Sequence, residues 1–125
     1  MADVASRRVL VVDDDPDNRR VLRRILMAGG ATVAEAEDGT QALATLESFR
    51  PDLVVLDLTM PEIDGWETVR RIKRIPGFSA TPIVALTAHA LAGDEERARR
   101  AGCDGYIAKP CRPAELRERF RQWLG

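Results

Sequence analysis

A chain of 125 residues with 45% apolar and 31% charged side chains has the composition of one globular domain with an ordinary core. Its net charge of −1, without a basic stripe interleaved with aromatics, leaves no footprint for nucleic acid; no apolar run approaches the roughly 18 residues of a membrane span, and Met1 to Arg8 lack the apolar segment of a secretory signal. Cys103 and Cys111 have neither metal-ligand nor redox-motif spacing, which points to a reducing compartment, the cytoplasm.

The first predicted element is a buried strand, Val9-Leu10-Val11-Val12, ended by Asp13-Asp14-Asp15-Pro16. Pro16 suits the first position of a helix and Asp15 its N-cap. Val21, Leu22, Ile25 and Leu26 form the apolar stripe of that helix, with Arg19, Arg20, Arg23 and Arg24 on solvated faces, and Gly29-Gly30 stops it. A short strand follows over Ala31 to Ala36. Asp38-Gly39 turns the chain into a second helix carrying Ala42, Leu43, Leu46 and Phe49, which must end before Pro51. The run Leu53-Val54-Val55-Leu56 is a strand buried on both faces that meets Asp57 directly. A loop through Pro61 and Asp64-Gly65 leads to a third helix near Trp66 to Arg74, packed through Val69 and Ile72.

Pro82 to Leu86 is a fourth strand, ending in Thr87. The fourth helix, Asp94 to about Ala101, has only alanines to bury. A fifth strand near Gly105 to Ala108 runs into Lys109-Pro110, and the last helix, from Pro113, presents Leu116, Phe120 and Leu124. Five strand–helix pairs in strict alternation predict an α/β fold with a doubly wound, five-stranded parallel sheet in the order 2-1-3-4-5. One domain over residues 1–125, with its core at about 8–124 and no output domain, is the expected organisation. Charge is uneven along it: residues 1–64 carry 13 acidic and 7 basic side chains, net −6, and residues 65–125 carry 7 and 12, net +5.

All strand C-termini of a parallel sheet lie along one edge, and ligands bind there where the strand order reverses. Asp13, Asp14 and Asp57 would face one another across that crevice, with Thr87 and Lys109 on the far side. Two carboxylates about 4 Å apart repel by roughly 4 kcal/mol at an effective dielectric near 20. Three demand a cation, of which Lys109 supplies one charge and a divalent ion the rest. An all-oxygen site with few protein ligands suits Mg²⁺. Such a site is built for a phosphoryl group, with Asp57 as nucleophile and Thr87, Lys109 and Mg²⁺ around the transferred oxygens.

Four segments carry a family resemblance: Val-Leu-Val-Val-Asp13-Asp14-Asp15-Pro16, Val-Val-Leu-Asp57-Leu-Thr-Met-Pro61-Glu-Ile-Asp64-Gly65, Ile-Val-Ala-Leu-Thr87-Ala88 and Gly105-Tyr106-Ile-Ala-Lys109-Pro110. Together, and in this order, the chain resembles a receiver domain of two-component response regulators from about Arg8 to Leu124, of the stand-alone single-domain kind. The resemblance implies a flavodoxin-like (βα)5 fold and a phosphorylation-dependent signalling switch rather than an enzyme. Asp57 would accept a phosphoryl group from a phosphohistidine on a histidine kinase or histidine phosphotransfer protein. Asp13, Asp14, Asp57 and the Thr59 carbonyl would hold Mg²⁺, Thr87 and Tyr106 would form the switch pair, and Lys109 would contact the phosphoryl group. Thr59 and His89 would tune autodephosphorylation. A downstream protein would bind the face of the fourth helix, fifth strand and fifth helix, with no nucleic acid or membrane partner.

Asp15 and Asp64 read as caps rather than ligands. The competing reading is a haloacid-dehalogenase-like phosphatase using Asp13-x-Asp15, which would need a later acid pair after a strand; residues 65–125 offer none. A third is a degenerate receiver serving as a scaffold, against which Asp14, Asp57, Thr87 and Lys109 stand intact.

Overall fold

Strands and helices alternate without exception in the computed structural model, which describes residues 7–57, 65–87, 93–108 and 112–124, the side chains of Asp94 and Leu124 excepted. The order is β1 (Arg8–Val12), α1 (Pro16–Ala28), β2 (Thr32–Ala36), α2 (Gly39–Phe49), β3 (Leu53–Asp57), α3 (Gly65–Arg74), β4 (Ile83–Thr87), α4 (Asp94–Ala101), β5 (Gly105–Ala108) and α5 (Pro113–Leu124). All pairings are parallel and the sheet runs β2-β1-β3-β4-β5, as the alternation of elements predicts. Among the described residues no helix is long and apolar enough to cross a membrane.

The helix ends follow local chemistry. Asp15 caps α1 by accepting from the Asp17 N–H at 2.9 Å, with Pro16 at the first helical position. Gly30, at φ 96°, closes its other end, where the Ala31 N–H returns to the Leu26 carbonyl. Asp38 caps α2 through the Gln41 N–H at 2.8 Å, and the Gln41 side chain accepts in turn from the Glu37 N–H at 2.9 Å. Arg50, left-handed at φ 53°, ends α2 just before Pro51.

Two apolar layers sandwich the sheet. Ala42 and Leu46 of α2, Trp66, Val69 and Ile72 of α3 and Ala98 and Ala101 of α4 cover one face. Leu22, Ile25 and Leu26 of α1 and Leu116 and Phe120 of α5 cover the other. Every residue of β3 and β4 is buried, which is why their sequences do not alternate. One expectation needs correction. Val21 is 52% exposed, because the buried stripe of α1 centres on Leu22, Ile25 and Leu26 and leaves Val21 off its edge. On α5, Trp123 packs beside Leu116 and Phe120, while the Leu124 side chain lies outside what is described.

Helix α4 buries its two alanines and gains a further tie: the Arg97 guanidinium lies 4.6 Å from the Trp66 ring centroid, joining α4 to the first turn of α3. On α5, the Trp123 ring comes so close to Gly105 that a Cβ there would sit 2.3 Å from it. Lys73 donates to the Thr81 carbonyl at 2.6 Å and pairs with Asp104 at 3.0 Å, while Asp104 accepts from the Ile83 N–H at 2.9 Å. This clip fixes the entry of β4 against the turn before β5.

Beside the clip, burial pushes the Cys103 thiol up from 9.0 to about 12, with Asp104 adding to the rise and Lys73 opposing it. An unfolded chain ionises this thiol near 9, so its contribution to stability is whole below that pH and is lost between there and about 12. Cys103→Ala is expected to shallow the alkaline loss of stability by up to about 1.4 kcal/mol per pH unit. Urea denaturation above and below pH 9 measures it, and identical pH slopes in the two proteins would contradict a buried thiol.

Candidate functional site

Register brings the acidic residues together. Val12 of β1 pairs with Leu56 of β3, so Asp13 and Asp57 leave the sheet at the same level, and Asp57 is itself level with Leu86 of β4. Asp13 is 1% and Asp57 6% exposed, whereas Asp14 is open to solvent. Buried acids at adjacent strand ends are costly unless something compensates them. One carboxylate oxygen from each of Asp13, Asp14 and Asp57 lies within 4.8 Å of the other two. An all-oxygen, three-carboxylate donor set of this spacing can hold a hard divalent cation.

The turn that carries two of these acids is bonded at several points. The Asp13 N–H donates to the Ala36 carbonyl at 3.1 Å, which extends the β1–β2 ladder by one residue. Asp13 Oδ1 accepts from the Asp15 N–H at 3.0 Å, and Asp15 in turn caps α1. The Asp13 carbonyl accepts from Arg19 Nη1 at 2.7 Å. Arg19, expected on a solvated face, is thus folded onto the site and only 16% exposed in its side chain. Its partner Glu35 stands on β2, far away in sequence, so helical periodicity could not reveal the contact.

Thr87 ends β4 and is buried. Ala85 pairs with Tyr106 and Thr87 with Ala108, so Thr87 and Tyr106 point to the same sheet face two residues apart. Tyr106 is half-buried, packed against the layer formed by α2, α3 and α4. Its carbonyl accepts from Arg119 Nη2 of α5 at 3.2 Å, a second arginine bonded to the main chain. Glu95, Arg99, Tyr106, Arg119 and Trp123 line a cavity of about 200 Å³ between α4, β5 and α5. Thr59, Asp64, His89 and Lys109 lie outside the described residues.

Comparison with known proteins gives consistent matches. The family model described as the response regulator receiver domain matches residues 9–121. The chain is 42% identical to an uncharacterized 14.6 kDa protein of Leptolyngbya boryana, over 98% of this chain and 94% of that one. It is 34% identical to the polar-differentiation response regulator DivK of Brucella anthropi, over 95% and 97% of the two chains. Among solved structures, Vibrio cholerae chemotaxis protein CheY4 superposes with a TM-score of 0.89 at 30% identity, covering 94% of this chain and 98% of that one. The receiver domain of the Pseudomonas aeruginosa sensor histidine kinase PA1611, described with a magnesium ion coordinated in its active site cleft, gives a TM-score of 0.87 at 37% identity, covering 97% and 99%.

Proposed function

Because this chain belongs to the response regulator receiver domain family of two-component signalling, we propose that it is a phosphorylation-dependent switch whose phosphoacceptor is Asp57. The observation that carries the reading is the meeting of Asp13, Asp14 and Asp57 at one sheet edge, each with an oxygen within 4.8 Å of the others. Receiver domains interact with histidine kinases and with downstream targets; the donor proposed here is a phosphohistidine on a kinase or a histidine phosphotransfer protein.

In the proposed reaction an Asp57 carboxylate oxygen attacks the phosphorus, forming an O–P bond as the P–N bond of the phosphohistidine breaks. The imidazole leaves as a neutral group when its second nitrogen carries a proton. Asp13, Asp14 and Asp57, joined by the Thr59 carbonyl, would hold Mg²⁺. When bound, that ion offsets the charge of the carboxylates and of the transferred oxygens. Buried Asp57 is held in line by the β3 ladder, which limits its freedom before reaction. Thr87 supplies a hydroxyl and Lys109 an ammonium to the product aspartyl phosphate. Thr59 and His89 would tune the rate at which water hydrolyses it.

Output in this reading passes from Thr87 to Tyr106, a pairing supported by their shared sheet face, and reaches a target protein through α4, β5 and α5. The chain then acts as one receiver domain over residues 1–125 that performs only its own phosphorylation and slow dephosphorylation. Incubation with acetyl phosphate tests the chemistry. The expected result is an acid-stable, alkali-labile phosphate that appears with Mg²⁺ and fails to appear with a chelator. Labelling that is indifferent to divalent cations would contradict the proposed site.

A further inference from the structure

Asp13 is fixed at its N–H, its Oδ1 and its carbonyl, by Ala36, Asp15 and Arg19 respectively. Asp14 differs: it is exposed, and among the described residues no hydrogen bond or ion pair holds its carboxylate. What directs Asp14 toward the other two acids is therefore its main chain. The peptide between Asp13 and Asp14 is planar, so fixing the Asp13 carbonyl fixes the plane from which Asp14 departs. The group that fixes it is the Arg19 guanidinium, through a short charge-assisted bond of 2.7 Å.

We propose that Arg19 is a positioning residue for the cation site, holding the Asp13–Asp14 peptide so that Asp14 converges on Asp13 and Asp57. This role rests on those three acids binding Mg²⁺, as proposed above. Glu35 makes the arrangement workable. It accepts from Arg19 Nε at 3.1 Å, which orients the planar guanidinium so that Nη1 meets the carbonyl. It also neutralises a positive charge that would otherwise oppose a cation nearby. Arg23 pairs with the other Glu35 oxygen at 3.3 Å without touching the acidic turn, and so offers a built-in control.

Mg²⁺ titration followed by amide chemical shifts of residues 13–15, with melting curves taken without Mg²⁺, tests the role. Arg19→Ala is expected to weaken Mg²⁺ binding roughly tenfold or more, the usual penalty for losing a group that orients a ligand. Arg19→Lys, whose single ammonium cannot serve carbonyl and carboxylate in the same fork, should fall between the two. It also stands in for Arg19→Ala should that chain fail to fold. Arg23→Ala should bind Mg²⁺ as the wild type does. Wild-type affinity in Arg19→Ala, or an equal loss in Arg23→Ala, would overturn the role and leave the cation site standing. Absence of binding by the wild-type chain would remove the cation site itself, and this role with it.

Discussion

Asp57→Asn is expected to abolish uptake of the phosphoryl group completely and, in the absence of Mg²⁺, to raise the melting temperature. Both effects have the same origin. Amide nitrogen and oxygen cannot replace the carboxylate as nucleophile, so no acyl phosphate can form. The same change removes one of three negative charges whose oxygens lie within 4.8 Å. A pair at that separation repels by roughly 3–4 kcal/mol at an effective dielectric near 20, before screening at the exposed Asp14. Mg²⁺ should then stabilise the wild type, by about 2.7 kcal/mol at a hundred times its dissociation constant, and the variant far less. Intact mass after acetyl phosphate treatment and melting curves with and without Mg²⁺ check the two halves. A variant that melts below the wild type without Mg²⁺ would mean that the acids do not strain the free fold. Asp13→Asn separates the competing phosphatase reading: a nucleophile at Asp13 would lose its label in that variant and keep it in Asp57→Asn.

The largest expected loss of stability is at the far end of the chain. Phe120 is among the largest fully buried side chains and anchors α5 in the layer it shares with α1. Phe120→Ala should cost about 3–5 kcal/mol, the cavity left behind adding to the lost transfer energy. Domains of this kind have about 5–15 kcal/mol in total, so the variant should sit near the edge of folding. Urea denaturation followed by tryptophan fluorescence measures it, with Trp123 packed on the same layer as one reporter. A loss below about 1 kcal/mol would show that α5 is not held by its apolar face.

Why the sequence reveals so much of this architecture is plain from particular residues. The unbroken apolar runs of β3 and β4 can only be strands covered on both faces, and caps at Asp15 and Asp38 mark where helices begin. Once those strands are parallel and ordered, Asp13, Asp57 and Thr87 must fall on one edge. Contacts between elements are another matter. Arg19 belongs to a polar helix face by periodicity and became part of the acidic turn because β2 lies alongside, presenting Glu35. The Lys73–Asp104 clip spans 31 positions in the chain and follows no local rule. Arg97 on Trp66 explains how a helix with only small buried residues is seated, again through a partner on another element.

Charge, sheet edge and family pattern support the proposed phosphoryl transfer, whose position can be tested directly. Treat the protein with acetyl phosphate and Mg²⁺, reduce it with borohydride, which converts an aspartyl phosphate to homoserine, and find the converted position by peptide mass. The account predicts conversion at Asp57 and nowhere else. Conversion at Asp13, or none with either acetyl phosphate or a phosphohistidine donor, would contradict it.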